Sequence, residues 1–248
     1  MKKTFKIGEI SSFFNIPSAT LRFWDEAGVI TPRKNNENHY REYTLPDLMK
    51  ISDIIFYKSL GIKLKQISEI EESELSYQHS ICDEQMEELI KQKKLLEFRM
   101  QKLKLHKKAL LEIERLKNNS FRFEKIDTKK IVSFELTERE KLHKYITNPY
   151  LYSRVQHSNN LSIEYRGITV DDNFIVNEKE VLWEYKNSTY ISCLMKEEII
   201  EDFPNNLSDI VCKIQQQYKT GNIISRFLAC GSENGKCYDF YKVYVEII

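Results

Sequence analysis

The run Ile7-Gly8-Glu9-Ile10-Ser11-Ser12-Phe13-Phe14, followed by Asn15-Ile16-Pro17 and then Ser18-Ala19-Thr20-Leu21-Arg22-Phe23-Trp24-Asp25-Glu26-Ala27-Gly28-Val29-Ile30, decides how this chain is read. The first eight residues carry a short helical pattern, and Asn-Ile-Pro turns it. Small polar residues, Ser18 and Thr20, open a second helix that exposes Arg22. Two short helices joined by a tight turn, with such a second helix, suit the major groove of duplex DNA.

Outward from that core, Thr31 to Tyr43 is polar and turn-rich. It reads as a two-stranded wing with its tip near Asn35-Asn36. Thr44 is a fair N-cap with Asp47 in the first turn of a third helix. Leu48, Ile51, Ile54, Ile55, Tyr57 and Lys58 give that helix its stripe, and Gly61 ends it. Leu64, Ile67 and Ile70 continue on a shorter helix. Residues 1–75 are therefore expected to form a winged helix-turn-helix domain.

Residues 76–118 are expected to be one long helix. From about residue 78 they hold no Gly or Pro, and Leu89, Leu96, Leu103 and Leu110 recur at sevens. Met86, Lys93, Met100 and Lys107 fall three residues before each, an apolar seam of coiled-coil type with Lys at alternate positions. A dimerisation strut is the expectation, against a long helix packed on its own domain.

Residues 119–248 alternate strand and helix. Strands are expected at Lys130 to Leu136, Leu161 to Val170, Glu180 to Tyr185, Tyr190 to Met195, Ile223 to Cys230 and Tyr238 to Ile247. Helices are expected at Glu138 to Tyr145 and Asp209 to Tyr218. A strand–helix–strand–strand unit used twice makes the chain α+β.

The chain has 38 Lys+Arg against 37 Asp+Glu, a formal net charge of +1. The average hides a gradient: residues 1–65 hold 11 basic and 7 acidic side chains, residues 120–248 hold 17 and 19. Positive charge gathers where a phosphate backbone would be met. Met1-Lys2-Lys3-Thr4 does not read as a signal peptide, and no run of about 18 apolar residues suggests a membrane span. Five scattered cysteines without a Cys-x-x-Cys pair fit a reducing cytosol, so a cytoplasmic location is expected.

At Ile7-Gly8-Glu9-Ile10, Thr20 to Gly28, Arg33, Tyr40-Arg41-Glu42-Tyr43, Asp47-Leu48, and Leu60 to Leu64 with Ile67, the chain resembles the MerR family of transcriptional regulators. The family usually has Tyr where Phe23 stands and Gly where His39 stands. The third segment is similar to GyrI-like effector domains through its place behind this head and its doubled pattern. The resemblance implies a homodimer joined through an antiparallel coiled coil, promoter DNA and RNA polymerase as partners, and a small-molecule effector of multidrug type. It also implies activation by bending and untwisting a promoter whose polymerase elements are spaced too far apart.

On these readings Arg22 forks onto guanine or phosphate. Ser18 and Thr20 reach base edges or phosphates, and Trp24 uses its N–H on a phosphate. Phe23 lacks the hydroxyl of the usual Tyr. Arg33, Lys34, His39, Tyr40, Arg41 and Tyr43 mark the wing, gripping flanking phosphates, with Tyr40 and Tyr43 alternatively wing-core aromatics. For the effector, Tyr150, Tyr152, Trp183, Arg226, Phe227, Tyr238, Phe240, Lys242 and Tyr244 are candidates. In the last strand Tyr238, Phe240, Lys242 and Tyr244 share one face, while the Tyr241, Val243, Val245, Ile247 face should pack on helices. Arg226 and Lys242 point to a neutral or anionic ligand. Glu164, Glu180, Glu184 and Asp239 are the acids available for a cationic one.

Three other classes compete. Cys82 has no cysteine partner before Cys193, so a thiolate metal or redox sensor is disfavoured and no metal or cofactor is expected. His79, His106, His143 and His157 have no paired nucleophile or carboxylate at a telling spacing, and no Gly-rich phosphate loop is present, so no catalysis is expected, hydrolysis by a GyrI-like domain being the enzymatic alternative. Ligand-independent repression is the third.

Overall fold

A computed structural model describes residues 4–70, 73–119 and 121–248. Met1 to Lys3, read above as no signal peptide, lie outside the described residues. The chain forms two compact units, 1–97 and 98–248.

In the first unit β1 (Phe5–Lys6) leads into α1 (Ile7–Phe14), whose backbone start is capped by Glu9 accepting from the Lys6 N–H at 2.8 Å. Asn15 turns the chain at φ 52°, and α2 (Ser18–Glu26) follows. Its end is a paired-bond stop: the Gly28 N–H donates to the Asp25 carbonyl and the Val29 N–H to the Trp24 carbonyl, with Gly28 at φ 72°. The same stop ends α3 (Leu45–Ser59), where Gly61 donates to Lys58 and Ile62 to Tyr57. The Thr44 N–H and hydroxyl both donate to the Asp47 carboxylate at 2.6 Å, as expected of that helix start. The short strands β2 (Arg33–Lys34) and β3 (Arg41–Tyr43) make the wing, and β1 joins as a third strand in the order β1-β3-β2. After α3 comes α4 (Leu64–Ile70). Ile10, Leu21, Trp24, Val29, Ile30, Tyr43, Ile51, Ile54, Ile62, Ile67, Ile70 and Ile81 form the core of this unit.

One helix, α5 (Leu75–Asn118), runs 44 residues without a break. Every residue from Met86 to Lys108 is exposed, including Leu89, Leu96 and Leu103. Among the described residues no helix is long and apolar enough to cross a membrane.

The second unit is an eight-stranded sheet of β4 (Arg122–Glu124), β5 (Lys130–Ser133), β6 (Tyr152–His157), β7 (Asn160–Val170), β8 (Val181–Glu184), β9 (Thr189–Glu198), β10 (Thr220–Glu233) and β11 (Lys236–Ile247), in the order β4-β9-β11-β10-β6-β7-β5-β8. With α6 (Arg139–Thr147) and α7 (Leu207–Gln215), β5-α6-β6-β7 and β9-α7-β10-β11 are two βαββ units. In each, the first strand pairs the last, and the units join back to back where β6 pairs β10.

The pattern is doubled, but the first βαββ unit is built from other strands than expected: β6 was missed, its Tyr-Ser-Arg-Val-Gln-His too polar to read as core, and so was the short edge strand β4. The strand expected at Glu180 to Tyr185 is the edge strand β8, an addition outside the repeat. Directly paired residues share a sheet face. By register, Tyr241 and Val243 lie on one face with Met195, Ser225 and Arg154. Helix α7 packs on this face through Leu207, Ile210, Val211 and Ile214, and α6 beside it over Val132 and Ile168. The Val/Ile face of β11 thus meets a helix as expected. The last turns of α5 cover the opposite face, Ala109, Ile113 and Leu116 packing on Leu228, Ala229 and Phe240.

Candidate functional site

On α2, Leu21 and Trp24 turn inward and Arg22 and Phe23 outward, as helical spacing demands. Phe23 is 58% exposed; Ser18 and Thr20 are half-buried at the helix start. Arg33, Lys34, His39 and Tyr40 are exposed on the wing. Asn35 builds the wing turn: its side-chain oxygen accepts from the Glu37 and Asn38 N–H groups, and its amide donates to Glu42 at 2.8 Å. The turn spans Asn35 to Tyr40, so its tip lies just beyond Asn35-Asn36. His39 sits at φ 58°, a left-handed position where glycine is easiest.

Two expectations change here, for Trp24 and Arg41, and for Tyr43 the wing-core alternative holds. Trp24 is a core residue at 6% exposure, and the helix turns its ring away from the surface that Arg22 presents. Tyr43, on the central strand of the three-stranded sheet, is fully buried, its hydroxyl without a partner among the described residues, and burial raises its pKa. Arg41 does not stand free: its Nε donates to Asp25 Oδ2 at 2.6 Å, tying the wing to the end of α2. That ion pair raises the Arg41 pKa, so the guanidinium stays charged while it clamps.

In the second unit a cavity of about 940 Å³ opens on the helix-bearing sheet face, over the seam where the two βαββ units meet. Glu135, Glu164, Glu197, Asp202 and Asp239 line it against Arg154 and Arg166, together with Phe134, Tyr145, Tyr152, Phe203, Phe227 and Tyr241. Acidic groups outnumber basic ones, and the walls are aromatic. Arg154 forks onto Glu197 with two bonds of 2.7 Å and also donates to the Tyr241 hydroxyl at 2.5 Å. Burial, and then the nearby Glu197, hold the Asp239 carboxyl above the usual range.

A smaller cavity of about 400 Å³ lies on the other face beneath α5, lined by Tyr150, Arg226, Phe227, Lys242 and Tyr244 among others. Its two strand-borne cations are paired. Lys242 pairs with Glu112 at 2.7 Å and Glu124 at 2.8 Å, and Arg226 with Asp127 at 2.7 Å. Arg115 joins the same network through Glu112 and Glu124.

A family profile described as MerR HTH family regulatory protein matches residues 5–74. Residues 5–74 are a MerR-family helix-turn-helix domain. This domain is 36% identical over 67 residues to the multidrug-efflux transporter 2 regulator of Bacillus subtilis, covering 27% of this chain and 24% of that one. It is 26% identical over 65 residues to the transcriptional activator TipA of Streptomyces coelicolor, covering 26% of each chain. To the regulator CueR of Escherichia coli the identity is 28% over 64 residues, covering 26% of this chain and 47% of that one. The matches to TipA and the Bacillus regulator thus span about a quarter of those relatives' length. Among solved structures, an EcmrR–DNA complex aligns over 98% of this chain and 100% of that one at 18% identity and a TM-score of 0.39. A MerR-family regulator from Bacillus cereus aligns over 58% and 96% at 20% identity and 0.37.

Beyond the MerR-family domain, the nine residues expected to bind an effector divide. Tyr152 and Phe227 line the large cavity; Tyr150, Arg226, Phe227, Lys242 and Tyr244 line the small one. Trp183, Tyr238 and Phe240 line neither. Trp183 is a core residue set edge-on to Tyr190, and Tyr238 and Phe240 pack in the cluster under α5. Lys242 and Arg226, expected to favour a neutral or anionic ligand, are neutralised by carboxylates from outside the last strands. Of the acids offered for a cation, Glu164 and Asp239 line the large cavity; Glu180 instead pairs with Lys141 and Glu184 with Lys130. Arg154, Glu197 and Tyr241 were missed. The period-two face Tyr152, Arg154, Gln156 was the signal, a charge between residues that turn inward.

Proposed function

We propose that this chain is an effector-responsive transcription regulator that grips promoter DNA as a homodimer through residues 5–74. A small organic cation held in the large acidic, aromatic cavity would be its effector. One observation carries the DNA reading: Arg22 is exposed on α2 while Arg41 and Asp25 lock the wing to that same helix. Recognition helix and wing then meet the duplex as one rigid basic surface, the helix in the major groove and the wing on flanking phosphates.

The cavity supports a cation because aromatic faces and unmatched carboxylates both attract positive charge. The doubled βαββ sheet supports the likeness to GyrI-like effector domains, and the name of the Bacillus relative supports a multidrug sensor. Activation would act through deformation: bending a site costs on the order of 1–6 kcal/mol, offset by added contacts, until RNA polymerase engages both elements.

The test has two arms. A duplex selected from random sequence is titrated with wild type and Arg22→Ala by fluorescence anisotropy at several salt concentrations. The substitution should weaken binding about 5- to 150-fold, the worth of one bidentate contact. Permanganate footprinting of that site then compares free protein with protein bound to an organic cation found by thermal-shift screening. Wild-type affinity in the variant sinks the DNA reading; undistorted DNA with the cation bound sinks activation by distortion.

A further inference from the structure

The large cavity already contains an organic cation, and the chain supplies it. The Arg154 guanidinium lies 4.4 Å from the Tyr241 ring centroid and 5.9 Å from that of Tyr152. Below it Glu197 accepts two parallel bonds of 2.7 Å, and Glu164 accepts a third at 3.2 Å. The side chains of Arg154 and Glu197 are 9% and 3% exposed. Two aromatic faces over a carboxylate floor are what a foreign cation would need in order to bind. The fit is incomplete, for the Arg154 Nε is buried without a partner among the described residues.

We propose that Arg154 is a tethered internal ligand, a plug that occupies the cation subsite and must be displaced from Glu197 by an incoming cationic effector. This rests on the large cavity being the effector site. The plug sets specificity by competition. A neutral aromatic compound has nothing with which to replace the fork, and displacing Arg154 without compensation leaves a buried carboxylate bare. A cation restores the charge balance as it enters. Asp239, Asp202 and Glu135, lining the same cavity without an arginine forked onto them, then hold the remaining negative potential towards the entering charge. Each class of ligand therefore meets a different cost at one residue.

Benzylguanidinium presents the group that Arg154 now places in the cage. Its binding, by calorimetry, is compared across wild type, Arg154→Met and the Arg154→Met/Glu197→Gln double variant, with neopentylbenzene as an uncharged control. Benzylguanidinium should bind Arg154→Met at least about tenfold more tightly than wild type, and the double variant should lose that gain. Neopentylbenzene should show no such gain. If Arg154→Met does not fold, Arg154→Lys keeps the charge but not the fork and should show a gain of about threefold or more. Equal benzylguanidinium binding to wild type and variant overturns the plug and leaves the cavity reading standing. A gain that persists without Glu197 does the same. No binding of benzylguanidinium to either protein overturns the plug and the cavity reading together.

Discussion

At the scale of single residues, one glycine and one arginine organise the first unit. Gly28 sits at φ 72°, and a Cβ there would meet nothing within 4 Å. Its replacement is therefore a question of backbone strain alone. Gly28→Ala should destabilise the first unit by about 1–2 kcal/mol, the cost of a left-handed non-glycine residue, and chemical denaturation would read it. An unchanged midpoint would mean that α2 ends differently. His39 shows the converse: the chain tolerates a left-handed histidine at the wing because the Asn35 turn holds it. Arg41 stands out in the sequence as a cation of the wing, but its pairing does not. A sequence displays a cation; only the fold shows Asp25 waiting 2.6 Å away.

At the scale of elements, the last turns of α5 are held to the sheet by charge as well as by packing. Glu112 bonds to Arg115 and Lys242, and these hold its carboxyl down from 4.5 to about 2. A carboxyl depressed on folding contributes stability that is fully present above its unfolded pKa and is lost as pH falls through the folded one. Stability of the second unit should therefore fall between pH 4.5 and about 2. In Glu112→Gln that part of the slope should be shallower. Hydrogen exchange along α5 with acidification measures it, and an identical profile in wild type and variant would remove Glu112 from the tie. The helix itself was easy to read, because a heptad of Leu with no Gly or Pro leaves few alternatives. Strand β6 was not, because its inward face carries Tyr152, Arg154 and Gln156 where an isolated strand would show aliphatic residues.

At the scale of the whole molecule, the exposed seam on α5 is a liability unless a second copy covers it. Leu89, Leu96 and Leu103 are 57%, 57% and 68% exposed, a line of apolar side chains spaced by sevens that a second helix would cover. A dimer should form at micromolar concentration, and Leu96→Glu with Leu103→Glu should dissociate it while circular dichroism stays unchanged. Sedimentation velocity reads the outcome. A wild-type protein that sediments as a monomer would remove the dimer and, with it, the two-headed grip on DNA.

Sequence alone determined the winged helix-turn-helix head, the long helix and the α+β class of the remainder, because helix stops, turn residues and apolar periods are local signals that need no partner far along the chain. It also singled out the exposed Arg22. Only the tertiary structure decided which charges are free. Lys242 and Arg226 looked available on the last two strands but are neutralised by Glu112, Glu124 and Asp127, and Arg154 is caged by Glu197 from a strand 43 positions away. A charge's meaning depends on its neighbours in space, and the pairing of strands that brings those neighbours together is not written in any short stretch of the chain.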